Sequence, residues 1–181
     1  MIKRLLFTFL LVGIFLSALT LSLAQEATPY PSPKPTPVAY TLPFPGILPD
    51  HPLYFLKSLR DTILFLLIKN PVRRVEFHIL QADKSLSSAS MLFDKGDKTR
   101  GIQMTTKSVQ QLVSGKNELF RIRPEENLQL NSLKDKFEKS ALKHQEMIQD
   151  LAMSLEGQDK ETLESLYEQL TTLLTDFSRN R

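Results

Sequence analysis

The chain has no cysteine, no tryptophan and only six glycines among 181 residues. Without cysteine there is no disulfide, no thiol nucleophile and no anchor of the bacterial lipoprotein type, so stability must come from an apolar core. No phosphate-binding or nucleotide-binding glycine loop is present, no G-x-S-x-G elbow and no H-E-x-x-H. The three histidines, His51, His78 and His144, include no i, i+4 pair of the kind that holds a metal on a helix. Short alternating apolar runs bounded by turn residues are missing, so no strand is expected. Like charges are not blocked together, and Lys plus Arg number 23 against 20 Asp plus Glu. Nucleic acid is therefore not an expected partner. No catalytic residue, metal ligand or cofactor is expected.

A long apolar run occurs once. Lys3-Arg4 precede Leu5–Leu21, and Ser22-Leu23-Ala24 then lead into Gln25. A basic start, an apolar stretch and small residues before a break form an export signal. Residues 1–24 are thus expected to be a signal peptide or an uncleaved signal anchor. As a helix the run spans roughly 25 Å against a hydrocarbon core of ~30 Å, which leaves both outcomes open. Either places the rest of the chain outside the cytoplasm, as a secreted, envelope or membrane-anchored domain. If the run is kept, it is also a membrane contact.

Nine of the 11 prolines fall between residues 28 and 52. Proline fixes φ and removes a donor. Residues 25–49 are accordingly expected to be an extended, solvated spacer.

From residue 50 to 181 the pattern turns helical, and the fold class expected is all-α, a bundle of four to five helices. The first helix spans about residues 52–69, with Leu53, Leu56, Leu59, Ile63 and Leu66 at helical spacing and an all-round apolar run at 63–68. That run implies burial between neighbours, or contact with lipid or a partner. Asn70-Pro71 opens a second helix. Its seam, Val72, Val75, Ile79, Ala82, Leu86, Ala89 and Phe93, is an unbroken heptad pattern closed by Gly96. The third, about 97–122, carries a thinner stripe, and Ser114-Gly115 suggest a kink. The fourth, from Pro124 to about Glu156, places Leu130, Leu133, Phe137, Ala141, His144, Ile148 and Leu151 on one line. Gly157 is expected to end it, with Asp159 capping a fifth helix on Leu163, Leu166, Leu170, Leu173 and Phe177. The strong seams also leave a homo-oligomeric coiled coil open.

The stretch Pro49-Asp50-His51-Pro52-Leu53-Tyr54-Phe55-Leu56-Lys57, with Asn70-Pro71 and the helix after it, resembles an uncharacterised bacterial family. Its members carry an exported domain of unknown function with a P-L-Y-x-L-K turn-to-helix motif. The likeness covers about residues 48–97. It implies an extracytoplasmic helical domain and supplies no catalytic residues. Physically the motif looks like a docking corner, with Tyr54 burying its ring and Lys57 and Asp61 forming an i, i+4 pair.

The function expected is a non-enzymatic interaction or structural domain that meets an envelope protein through helix faces. His51, Leu53, Tyr54, Leu64 and Phe65 are its candidate contacts. The alternative is a chaperone-like or ligand-binding bundle that opens a groove of Met91, Met104, Met147 and Met153 with nearby phenylalanines. A metal-dependent or hydrolytic enzyme ranks last. His144, on a leucine seam, is expected to be a core histidine favouring the neutral form.

Overall fold

The computed structural model describes residues 37–123 and 129–180. The expected leader, residues 25–36 of the expected spacer and the expected helix opening at Pro124 lie outside the described residues. Every regular element among the described residues is a helix: α1 is Tyr54–Leu67, α2 Pro71–Asp94, α3 Lys98–Leu119, α4 Leu130–Met153 and α5 Gly157–Arg179.

Local chemistry sets the helix ends. Asn70 accepts a hydrogen bond from the Arg73 N–H at 3.2 Å and Pro71 occupies the first turn, so α2 starts where the sequence says. Gly96 sits at φ +81°, where the Gly96 N–H reaches the Phe93 carbonyl and the Asp97 N–H the Leu92 carbonyl. This paired cap satisfies the last carbonyls of α2 and turns the chain directly into α3. Asp97 then caps α3 by accepting from the Arg100 N–H at 3.1 Å. Gly157, at φ +61°, starts α5 and does not end α4, which closes at Met153.

Helices α2 to α5 form the bundle, arranged around its axis as α2, α3, α5 and α4. The seams pack as their spacing requires. Val75, Ile79, Ala82 and Leu86 of α2, Phe137, Ala141 and Ile148 of α4, and Leu163, Leu170 and Phe177 of α5 meet in one buried core. The Phe137 and Phe177 rings lie 5.1 Å apart. The α2–α3 contact is built from small residues. Gly101, Thr105, Ser108 and Gly115 are buried on α3, facing an α2 that buries Ala82, Ser85, Ser88 and Ala89. A Cβ on Gly115 would lie 3.2 Å from the His78 Cβ, and one on Gly101 only 2.8 Å from the Phe93 ring. The glycines serve close approach, and α3 runs unbroken where a kink was expected.

The spacer also departs from expectation. From residue 37 it is not solvated but lies along the bundle. Val38, Tyr40 and Leu42 are half-buried while Pro37, Ala39 and Thr41 are exposed, the two-residue alternation of an extended chain on a surface. The Val38 N–H donates to Glu146 of α4 at 2.9 Å, the Tyr40 hydroxyl donates to Asp83 of α2 at 2.6 Å, and Leu42 packs on the core. Pro45 and Leu48 are buried, and Gly46 at φ +75° turns the chain toward α1. A proline-rich segment can pack in this way because each anchor is a single side chain or N–H and no ladder is needed.

Candidate functional site

Helix α1 buries none of its residues. The apolar stripe that the spacing assigns to a core points away from the bundle. Leu53, Phe55, Leu56, Leu59, Ile63, Leu64, Leu66 and Leu67 are all exposed, with Leu66 at 74% and Leu67 at 70%. Phe44 and Ile47, on the turn before the helix, continue the same exposed surface. The side toward the bundle is half-buried and mostly polar: Tyr54, Lys57, Ser58, Asp61, Phe65 and Ile68. The first-helix seam is thus present but inverted. A monomer seldom exposes so continuous an apolar surface without using it.

A few anchors hold α1 in this orientation. Tyr54 packs on the small cluster of Ala89, Leu92 and Met104, with its hydroxyl 3.6 Å from the Met104 sulfur and 3.4 Å from Lys107 Nζ. Lys57 Nζ donates to the Pro45 and Ile47 carbonyls at 2.7 and 3.1 Å, tying the helix to the turn before it. Partial burial of the ammonium lowers its pKa from the ordinary lysine value. Asp61 pairs with Arg60 at 2.7 Å, so the expected Lys57–Asp61 bridge gives way to a neighbour. Phe65 sits 5.5 Å from the Phe77 ring and 5.0 Å from the His78 ring, and the Arg74 guanidinium lies 4.4 Å over its face. Arg74 in turn donates to Glu118 of α3 at 3.0 Å. Between these anchors a gap of about 190 Å³, lined by Ser58, Asp61, Thr62, His78 and Gln111 among others, separates α1 from the bundle.

The five sequence candidates therefore divide. Leu53 and Leu64 are part of the outward apolar face. Tyr54 and Phe65 point inward and fix the helix. His51 is exposed and shapes the corner, its Nδ1 accepting from the Leu53 N–H at 3.1 Å. The sequence reasoning had the corner at residues 50–61 and the run at 63–68 as contact candidates, and missed Phe44 and Ile47 as continuations of the same surface. It also missed a charge division: residues 37–123 carry 13 Lys and Arg against 7 Asp and Glu, and residues 129–180 carry 6 against 10. Counting charge by halves would have found it.

The second concentration of polar groups is internal. Asp83 accepts from the Tyr40 hydroxyl and from the Ser140 hydroxyl, each at 2.6 Å. His144 is fully buried beside it, with Nδ1 2.8 Å from the Ser140 carbonyl and 3.9 Å from the Asp83 carboxylate. Burial pushes the His144 pKa down, against the smaller opposing pull of Asp83 and of the Ser140 and Ala82 carbonyls. Its Nε2 has no hydrogen-bond partner among the described residues. Tyr40 is pushed the other way, up, by burial and by Asp83, and remains a hydroxyl donor. The hollows along α1 do not reach Tyr40, Asp83, Ser140 or His144. Asp83, held by Ser140, clamps Tyr40 and with it residues 37–42 to the bundle.

The other expected features disperse. Among the described residues no three His, Asp or Glu gather as a metal site requires. The methionines do not form a groove: Met104 is buried, Met147 is packed against the core, and Met153 stands alone at 72% exposure. No helix among the described residues is long and apolar enough to cross a membrane.

A family model described as a domain of unknown function, DUF5667, matches residues 46–172. The match runs from the turn before α1 into α5, well beyond the stretch whose motifs suggested a likeness. No curated protein and no solved structure matches the chain.

Proposed function

This chain belongs to the DUF5667 family of domains of unknown function, and from that premise we propose that it is a non-enzymatic interaction domain, working outside the cytoplasm, whose contact surface is the outward face of α1. The observation that carries this reading is the inversion of α1. Its polar side is spent on the bundle and its large apolar side chains are left outside. A large aliphatic side chain contributes about 1.5–3 kcal/mol when fully buried. Covering several of these side chains together would therefore favour association by several kcal/mol. The leader supports the compartment: the Lys3-Arg4 start and the Leu5–Leu21 run have the order of an export signal. The buried hydrogen bonds of Tyr40 and Ser140 to Asp83 support a structural role for that group, since they clamp the segment before α1.

Two experiments test the reading. Fractionation of the producing cell should recover the domain outside the cytoplasm, and a soluble cytosolic full-length chain would defeat that part. Cross-linked capture from the cell's own envelope should be lost when Leu59 or Leu64 is changed to Asp with the fold intact. Unchanged capture by both variants would remove α1 from the contact.

A further inference from the structure

The face that α1 presents can be covered by lipid, by a second copy or by another protein, and charge separates these. Helix α1 lies against α2 and α3, within the half of the domain that carries 13 cations against 7 acids. Arg60 projects within the apolar face, its side chain 61% exposed and paired with Asp61. Lys84 and Lys57 line the hollow shared with Phe44, Leu53 and Leu56, and Lys69 and Arg73 are exposed just past the end of α1. Two copies meeting through this face would set basic halves against each other, a contact that like charges oppose. A surface of acyl chains under anionic headgroups takes both features together. The apolar side chains enter the acyl boundary while Lys and Arg extend to the phosphates.

Length agrees. The 14 residues of α1 are about 21 Å long, too short to cross a core of ~30 Å but suited to lying along its surface. The chain before the domain adds reach. Between Ala24 and the docked segment at residue 37 remain residues 25–36, a contour of at most about 43 Å. A leader engaged with the bilayer therefore delivers the domain within range of it.

We propose that the outward face of α1 inserts into the interface of an anionic lipid bilayer, lying parallel to its surface. This rests on α1 being the contact surface. Apolar burial and basic residues are two independent attachments, and two are what stable peripheral binding requires. If the leader is removed, α1 retains the domain at the membrane. If it is kept, α1 fixes which side of the domain faces the lipid.

The absence of cysteine makes the test direct. A single environment-sensitive fluorophore on Leu66→Cys reports the face, and one on Thr172→Cys, exposed on α5, serves as reference. The full chain is mixed with vesicles of phosphatidylcholine alone or with equal phosphatidylglycerol, some carrying nitroxide lipids. The probe reads the depth of α1, so attachment through the leader does not confuse it. We expect the Leu66→Cys probe to shift to the blue and be quenched by nitroxide in the anionic vesicles, and the Thr172→Cys probe to do neither. Lys69→Gln or Arg73→Gln should each weaken insertion about fivefold. A Leu66→Cys probe that stays in water on vesicle-bound protein overturns the proposal. So does a blue shift without lipid that grows with protein concentration, which assigns the face to a second copy. In that second case, or if envelope capture through Leu64 succeeds while insertion fails, the contact surface stands and only the lipid is wrong. If capture and insertion both fail, both readings fall.

Discussion

At the scale of single residues, the most constrained group is His144. The spacing placed it on a core seam, and the structure buries it completely. Its neighbour Asp83 could not be read from the sequence, because tertiary packing brings that carboxylate to it over 61 positions. Unfolding frees the imidazole to take a proton near its ordinary pKa of about 6.5, whereas the folded site resists protonation. Its contribution to stability is therefore complete above about pH 6.5 and declines as the pH falls below that value. Melting temperature measured between pH 7.5 and 5 should drop, and His144→Gln should flatten that slope. The carboxylates whose pKa values are lowered, Asp50, Asp97 and Glu146, lose their share only near the ordinary carboxylate value of about 4, so the window isolates the histidine. Tyr40→Phe keeps the ring and removes the hydroxyl that Asp83 accepts. It should cost about 1.5 kcal/mol by urea unfolding, the low end for a bond to a charged group, since the ring is half-exposed.

At the scale of elements, α2, α4 and α5 were legible in their seams because a heptad pattern specifies which side chains share a face. The same pattern does not say what that face meets. For α1 the periodicity located the stripe and the bundle took the opposite side, since Tyr54 and Phe65 found aromatic and sulfur partners there. The α2–α3 contact was hard to read for a different reason: glycine and serine give a weak hydrophobic signal even where they set the closest packing. Gly115→Val should push α2 from α3 and cost about 1–3 kcal/mol in thermal or chemical melts. Gly96→Ala, forced to positive φ at the α2 cap, should cost about 1 kcal/mol. Neither change touches the outward face of α1, so neither should alter what that face contacts.

At the scale of the whole molecule, the near balance of total charge concealed a basic and an acidic half, because a net sum erases position. The bundle core does not include α1, so Leu59→Asp or Ile63→Lys should leave stability within about 0.5 kcal/mol by calorimetry while altering association. The docked segment before α1 has a consequence for biogenesis. Val38 is tied to Glu146, 108 positions later, and a ribosome delivers the amino end first. That clasp can close only after most of the polypeptide has emerged and α4 has coiled. A chain cut short before Glu146 therefore leaves residues 38–48 without this clasp and more open to protease.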